Sequence, residues 1–324
     1  MELIYVDDSL PGISRRLKNK HWQYIDPMGK VIKDNTLISR LNGLAFPPAY
    51  KNVWFCPEEN GHILATGYDS KDRKQYRYHP IFTEQQDAKK YQACSVFGRK
   101  LPLLRARLDE ALQGDRLDYE RTLAAVVRLM DLGAVRVGNE RNVKRNKSYG
   151  ATTLRARHAK LTGKTIRLKY RAKSGKEREV NISDRVLSAV IKELQDLPGQ
   201  HLFQYIEDGS RCNVSSTDIN NYIQTIMGDE FSAKHFRTWR GSVIAFKQLY
   251  NAKGALRLNS MLDEVSTVLG NTPTIARNSY IHPDIIALCK EAENDQEHWR
   301  KHFILPRKTK YLSRYERGLL AFLC

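Results

Sequence analysis

The sequence predicts an α+β protein with a small strand-rich N-terminal lobe and a larger, mainly helical lobe that contains a β-hairpin. Six prolines interrupt the first ninety or so residues, where short runs alternate apolar and polar side chains as β-strands do. Apolar residues recur at helical spacing from Ala88 onward, first at Leu101, Leu104, Leu108 and Leu112. A chain of 324 residues can form two domains, each with its own core. We therefore expect one domain in residues 1–90 and a second in residues 91–324.

Short alternating runs predict the strands of both lobes. Residues 52–55 and 62–66 are typical of strands in the first lobe, where the prolines argue against long helices. In the second lobe, residues 165–170 and 177–182 alternate apolar with polar positions around a Ser-Gly turn signal. This pattern predicts a β-hairpin with Lys173 at its tip.

Helical patterns cover most of the second lobe. Beyond the leucine series they indicate helices at residues 185–194 and 217–226, and Pro306 separates a last helical stretch that runs to Cys324. The basic residues between 302 and 317 are predicted to form the solvated face of a helix, and a DNA contact is the alternative.

The charge of the chain favours a polyanionic partner. There are 54 Lys and Arg residues against 36 Asp and Glu residues, which gives a formal net charge of +18 and a sequence pI near 9.7. Nucleic acid is therefore expected ahead of an anionic membrane, and a merely soluble basic protein is the simpler alternative.

Cysteine usage and the N-terminus indicate the compartment. The five cysteines are far apart, odd in number and without a C-x-x-C pair, so neither zinc nor redox chemistry is indicated and a reducing cytoplasm fits best. The N-terminus is acidic and lacks a basic segment followed by an apolar run. We expect a cytoplasmic protein that neither crosses nor binds a membrane.

Several motifs that would indicate nucleotide or metal chemistry are incomplete. Gly163-Lys-Thr165 ends like a phosphate-binding loop, but His158 stands where that loop needs glycine, so no ATP site is predicted. His298 and His302 have helical spacing without a third ligand, and surface histidines are the expected interpretation. We therefore predict no metal site.

Five residues carry the strongest functional signal through their order and their local motifs. Arg136 lies in Gly-Ala-Val-Arg-Val-Gly-Asn-Glu, Lys173 in Ala-Lys-Ser-Gly-Lys, and Arg237 in Lys-His-Phe-Arg-Thr-Trp. Asn271 stands nine residues before Tyr280. In the number and sequence of these motifs the chain resembles the type IB DNA topoisomerases of the poxvirus and bacterial branch.

The resemblance implies the catalytic fold shared by tyrosine recombinases and type IB topoisomerases, together with its chemistry. Tyr280 would attack a backbone phosphate to give a 3′-phosphotyrosyl intermediate and a free 5′-OH. Arg136 and Arg237 would cradle the phosphate, because a guanidinium stays charged and can bond two oxygens at once. Asn271 would donate its amide NH2 to a non-bridging oxygen, and Lys173 would protonate the leaving oxygen. Because the phosphotyrosine stores the bond energy, neither ATP nor a metal is expected as cofactor.

Four positions refine the resemblance. Tyrosine recombinases usually have His where this chain has Lys234, three residues before Arg237, and we interpret Lys234 as a phosphate contact. Poxvirus enzymes have His at the position of Asn271, whereas many bacterial members have Asn there. Poxvirus enzymes also have Lys and Tyr, which contact bases, at the positions of Asn139 and Asn142. DNA binding by this chain at these positions is therefore expected to be weakly selective.

The resemblance extends back to Gly67, through a segment that matches the DNA-reading strand of the family. By that match the residues that would touch DNA are Lys71, Arg73, Gln75, Tyr76 and Tyr78. Period-two alternation places Tyr76 and Tyr78 on the face opposite to Gln75, so one groove cannot take all of them if the strand is regular. Ordinary strand packing is the alternative for Tyr78.

The sequence as a whole predicts a monomeric type IB topoisomerase whose two lobes clamp double-stranded DNA and relax supercoils of both signs. A tyrosine recombinase that carries out site-specific strand exchange is the alternative, which Lys234 and residues 67–78 disfavour. A non-catalytic basic DNA-binding protein is a third possibility, in which the match of the five residues would be coincidence. For Lys173 alone, the alternative to a general acid is a phosphate contact from a basic turn, made by Lys173 or its neighbour Lys176. Association with the nucleoid would follow from DNA binding.

Overall fold

The structure is a computed structural model that describes residues 2–324. The chain folds into two separate units, Met1–Lys90 and Tyr91–Cys324. The first is rich in strands and the second is mostly helical, so the predicted α+β fold class is confirmed. No helix in this described range is both long enough and apolar enough to cross a membrane.

The first unit is built on one antiparallel sheet of five strands. In chain order these are β1 (Ile13–Lys18), β2 (His21–Ile25), β3 (Lys51–Phe55), β4 (Ile63–Tyr68) and β5 (Lys74–Tyr78). Their order across the sheet is β2-β1-β3-β4-β5, so β5 is an edge strand. Helix α1 (Asn35–Gly43) begins where Asp34 accepts hydrogen bonds from the first-turn amides, and its Leu41 is buried with Phe55 in the core of this unit.

The second unit surrounds its core with helices and two small sheets. The helices are α2 (Pro80–Ala111), which begins in the first unit, α3 (Tyr119–Gly133), α4 (Glu140–Asn146), α5 (Arg185–Asp196), α6 (Ser216–Met227), α7 (Lys234–Asn251), α8 (Leu258–Leu269), α9 (Pro273–Ser279), α10 (Pro283–Lys290), α11 (Glu293–His302) and α12 (Arg314–Phe322). The strands are β6 (Ala159–Thr162), β7 (Thr165–Arg171) and β8 (Glu177–Ser183) in one sheet, with β9 (Gln204–Glu207) and β10 (Ser210–Asn213) in the other.

Helix α3 is the centre of this unit. It is buried over most of its circumference because it packs against α5, α6, α7, β8 and β9. Its C-terminal end at Gly133 is followed by Ala134 in the left-handed conformation, with φ 48°. The chain therefore turns sharply just before Arg136, and this buried helix holds the segment that carries the arginine.

The predicted hairpin is confirmed, whereas two helical predictions need correction. Strands β7 and β8 pair in antiparallel register around a tip at Lys173–Gly175. Helix α2 begins at Pro80 rather than near Ala88, because proline is accepted at a first helical position and the polar residues 83–87 hide the helix from an apolar period. Residues 303–313 are not helical, so the basic stretch between 302 and 317 does not form one solvated helix face.

Candidate active site

Four of the five predicted catalytic residues, Arg136, Arg237, Asn271 and Tyr280, lie together in the second unit. The amide oxygen of Asn271 accepts a hydrogen bond from Arg136 Nη2 at 2.7 Å and from Arg237 Nη2 at 3.1 Å. The guanidinium carbon of Arg237 lies 4.8 Å from the centre of the Tyr280 ring. Arg136, which precedes the other three by more than a hundred positions, thus joins them in one cluster.

Helix α7 places Arg237 in the interior. Its side chain is only 3% exposed, and it donates from Nη1 to the carbonyl oxygen of Ala134 at 2.6 Å and from Nη2 to that of Leu269 at 2.8 Å. These bonds tie α7 to the segment before Arg136 and to the end of α8. Lys234 is exposed at the first position of α7, one turn before Arg237.

The backbone of Arg136 is fixed by a close approach of two chain segments. The amide of Ala151 donates to the Arg136 carbonyl oxygen at 2.7 Å. A Cβ atom at Gly150 would lie 2.6 Å from the same oxygen, so this position has no room for any side chain. Because its backbone is held in this way, the Arg136 side chain extends toward Asn271 from a defined point.

Asn271 lies in the turn between α8 and α9. Thr272 accepts a hydrogen bond from the Ile275 amide and Pro273 is the first helical residue, so a capping side chain and a proline begin α9. Two guanidinium donors fix the amide oxygen of Asn271 and therefore fix its orientation, since a reversed amide would place NH2 against NH2. The Nδ2 group is buried and has no hydrogen-bond partner among the described residues.

Tyr280 follows the last residue of α9 and packs directly on α7. A Cβ atom at Gly241, one turn after Arg237, would collide with the Tyr280 carbonyl oxygen and lie 3.1 Å from the Tyr280 Cβ. The hydroxyl of Ser242 donates to the same carbonyl at 3.4 Å and accepts from the His282 amide at 3.0 Å. Neither Gly241 nor Ser242 was predicted from the sequence, because an isolated Gly-Ser pair in a helix carries no chemical signal.

The electrostatics of the cluster favour an anion. Burial raises the pKa of the Tyr280 phenol, but the charges and hydrogen bonds of Arg237 and Arg136 outweigh it, so that pKa lies below its usual value. Burial, followed by the charge of Arg136, lowers the pKa of Arg237 to about 10. Within residues 2–324 no carboxylate bonds to either guanidinium. The site therefore carries positive charge that the protein itself does not neutralise.

The fifth catalytic candidate, Lys173, lies at the tip of the hairpin. It is exposed at the tip between β7 and β8, where Ser174 and Gly175 have φ values of 66° and 75°. The Ala172 amide donates to the Lys176 carbonyl oxygen at 2.8 Å and closes the tip. No hydrogen bond or ion pair joins Lys173 to the other candidates in the described part of the chain.

Arg178 is a buried residue of the same hairpin that was not predicted as functional. Strand β8 places it opposite Tyr170, at an inward position of the alternation that continues at Val180. Its guanidinium donates to the carbonyl oxygens of Gly133 and Val268, at 3.1 and 3.0 Å. A charged residue at an apolar position of the period was the one signal in the sequence that could have identified it.

The predicted DNA-reading segment includes a turn and the edge strand β5. Buried Asp69 accepts hydrogen bonds from Arg73 Nε at 2.7 Å and from Gln75 Nε2 at 3.0 Å, and the bond from Arg73 is the main cause that lowers the Asp69 pKa to about 2. The rings of Tyr76 and Tyr78 stack, with their centres 5.6 Å apart and their planes at 5° to each other. The two tyrosines therefore share one face of β5, as the alternation predicts.

The remaining DNA-contact candidates are all exposed. Lys71 lies in the turn before β5, and its amide donates to Asp69 at 2.9 Å. Asn139 precedes α4 and uses its side-chain oxygen to accept from the Arg141 amide at 2.8 Å, while Asn142 lies on α4 itself. The amide NH2 groups of both asparagines thus remain on the surface.

No group of three or more His, Cys, Asp or Glu side chains within residues 2–324 has the geometry to hold a metal ion. The rings of His298 and His302 lie 4.1 Å apart at the exposed surface of α11. They are surface histidines without a third ligand.

Comparisons with known proteins identify the family of the chain. The family model for the catalytic core of eukaryotic DNA topoisomerase I matches residues 72–302, more than two thirds of the chain, and the model for the N-terminal domain of bacterial DNA topoisomerase IB matches residues 21–69. DNA topoisomerase 1B of Acanthamoeba polyphaga mimivirus is 35% identical over 221 residues, which is 65% of each chain. DNA topoisomerase 1B of Vaccinia virus (strain Copenhagen) is 21% identical over 251 residues, covering 75% of this chain and 76% of the viral one. The chain belongs to the family of type IB DNA topoisomerases.

Proposed function

We propose that this protein relaxes positive and negative DNA supercoils by cutting and resealing one strand of a duplex through Tyr280. The observation that carries the proposal is the cluster of two uncompensated guanidinium groups and one amide around the Tyr280 ring. The names of the mimivirus and vaccinia relatives support the same activity.

In the cleavage step, the Tyr280 oxygen attacks a backbone phosphorus after its proton has passed to solvent. The cations that lower its pKa make the phenolate more available at neutral pH. Arg136 and Arg237 neutralise the non-bridging oxygens, on which charge accumulates, and the free Nδ2 of Asn271 donates to one of them. The bond from phosphorus to the 5′-oxygen breaks, and the 3′-phosphate remains on Tyr280.

In the same step, Lys173 donates a proton to the departing 5′-oxygen, which would otherwise leave as an unstable alkoxide. Its exposed position at the hairpin tip supports this role, because it leaves the ammonium group accessible from solvent. Resealing is the reverse reaction, in which the 5′-OH returns its proton and displaces the tyrosine. One phosphodiester replaces another in each direction, so the cycle needs no ATP and no metal cofactor.

We further propose that unit Tyr91–Cys324 is catalytic and that unit Met1–Lys90 is a DNA clamp. The exposed Tyr76, Tyr78 and Lys71 and the Asp69-bound Arg73 and Gln75 would contact the duplex from the clamp, and Lys234 would add a phosphate contact beside Arg237. The protein would act as a monomer in the cytoplasm, and its net charge of +18 would keep it on DNA.

A plasmid assay tests this proposal. Purified protein is mixed with negatively or positively supercoiled plasmid in excess EDTA without nucleotide, and both substrates should be relaxed. Tyr280→Phe should bind the plasmid with unchanged affinity, relax neither substrate and form no covalent adduct. The proposal is wrong if both plasmids remain supercoiled with the wild-type protein, or if Tyr280→Phe still forms the adduct.

A further inference from the structure

Arg178 joins the backbone segments that precede two of the catalytic candidates. It is 7% exposed, and its Nη2 donates to the carbonyl oxygens of Gly133 at 3.1 Å and Val268 at 3.0 Å, while Nη1 donates to that of Leu269. Gly133 lies three residues before Arg136, and Leu269 lies two residues before Asn271. One guanidinium thus crosslinks both segments to strand β8.

Arg178 and Arg237 hold two of the same carbonyl oxygens. Nη2 of Arg178 also approaches the Ala134 oxygen, at 3.4 Å, which accepts from Arg237 at 2.6 Å. The Leu269 oxygen likewise accepts from both arginines. The position of the Arg237 side chain relative to these segments therefore depends on Arg178 as well as on its own hydrogen bonds.

Packing of the hairpin alone does not require a charged side chain with several donors at position 178. Its burial lowers the pKa of its own guanidinium, and no carboxylate bonds to it within the described residues. A buried charge without a counterion is costly, and an apolar residue would fit the alternation of β8. The carbonyl oxygens of Gly133 and Val268, at the ends of α3 and α8, would then lose this donor, however, and only Arg237 would still join the two segments.

We propose that Arg178 is a positioning residue of the cleavage reaction. It holds the Arg136 segment and the Asn271 turn at a fixed distance, so that the two side chains and Arg237 meet one phosphate. This role rests on the function proposed above. Arg178 need not touch DNA, because its Nη1 and Nη2 donors are directed at backbone carbonyls. It acts through Arg136 and Asn271.

The chain offers a matched control for replacing a buried arginine. Arg121 is 6% exposed, lies in the same unit, and donates through two nitrogens to Glu193 rather than to a segment that carries a catalytic candidate. Arg178→Lys and Arg121→Lys both keep the charge and remove the planar fork. Both should lower the melting temperature, whereas only Arg178→Lys should disturb the active site.

The measurement is the rate of covalent adduct formation in a single turnover at saturating DNA, with the DNA dissociation constant measured separately. We expect Arg178→Lys to slow adduct formation about 10- to 100-fold with a dissociation constant within about twofold of wild type, since small misplacements of catalytic groups cost this much. Arg121→Lys should cleave within about twofold of wild type. Equal rates for Arg178→Lys and Arg121→Lys would overturn the proposal.

A second variant covers the case in which Arg178→Lys does not fold. A Cβ atom at Gly270, where φ is +62°, would lie 2.6 Å from Nη1 of Arg178, so Gly270→Ala displaces the guanidinium without removing it. Gly209→Ala controls for the backbone strain, because φ is +74° there and a Cβ meets nothing within 4 Å. Gly270→Ala should cleave at least about 10-fold more slowly than Gly209→Ala, and equal rates would contradict the role of Arg178. If the wild-type protein forms no adduct, the proposed function itself is wrong.

Discussion

The guanidinium of Arg237 lies over the ring of Tyr280, 4.8 Å from its centre, and is itself almost fully buried. The same arginine bonds to the Asn271 amide, which also holds Arg136. Charge on Arg237 and Arg136 therefore acts directly on the phenol that is proposed to attack DNA. The clearest consequence is the dependence of cleavage on pH.

The single-turnover cleavage rate should rise with pH through an inflection below the usual phenol pKa of about 10, because only the phenolate attacks. Arg136 lowers the Tyr280 pKa, so its removal in Arg136→Ala should move the inflection to higher pH and reduce the rate at neutral pH. An inflection that stays in place or moves to lower pH in Arg136→Ala would contradict the proposed coupling. The rate is measured with quenched-flow sampling across the alkaline range.

Asn271→Asp separates the two functions of the Asn271 side chain. Aspartate keeps the oxygen that accepts from Arg136 and Arg237 but replaces the free NH2 by a second, negatively charged oxygen. We expect the fold to be retained and cleavage to fall about 10²–10³-fold, the usual cost of losing one donor to a developing negative charge. Single-turnover cleavage at saturating DNA measures the loss, and a rate close to wild type would show that Nδ2 does not contact the phosphate.

Much of the architecture follows from local patterns in the sequence. The hairpin around Lys173 and the cap of α9 at Thr272 were predictable, because alternation and capping depend on neighbouring residues. The start of α2 at Pro80 and the non-helical segment 303–313 were not. In the first case polar residues carry no apolar period, and in the second a run of basic residues specifies charge but not conformation.

Gly241→Ala tests the contact between α7 and Tyr280. The added methyl group would collide with the Tyr280 carbonyl, so the tyrosine must move away from Arg237. We expect cleavage to slow about 10- to 100-fold with little change in DNA affinity, as judged by single-turnover rates and equilibrium binding. Gly43→Ala is the control, because a Cβ there meets nothing within 4 Å. Equal cleavage by the two variants would mean that the packing of Tyr280 on α7 has no bearing on the reaction.

Lys173→Ala tests the general acid. On ordinary DNA we expect cleavage to fall about 10²–10⁴-fold. On DNA with sulfur in place of the bridging 5′-oxygen the loss should largely disappear, because a thiol pKa of about 8.5 lets the group leave without a proton. Lys176→Ala, at the other end of the same tip, is the control and should cleave each substrate at a rate close to that of the wild-type protein. A persistent defect of Lys173→Ala on the sulfur substrate would instead indicate a phosphate contact.

The part of the site that escaped prediction depends on long-range packing. Gly241 matters because Tyr280 lies against it, and Arg178 matters because Gly133 and Val268 offer it their carbonyl oxygens. Neither relationship can be read from spacing along the chain, since the partners are brought together only by the folded core. The residues proposed to do the chemistry were recognisable by type and order, whereas those that hold them in place were not.

The central claim is that the Tyr280 oxygen takes the place of a sugar hydroxyl on a DNA phosphorus. Its most direct test is to denature the reaction mixture, digest the protein and identify by mass spectrometry the peptide that remains attached to DNA. The account predicts a single adduct in which the 3′-phosphate of the DNA is joined to Tyr280. Attachment to a 5′-phosphate, attachment to another residue, or the absence of any adduct would contradict it.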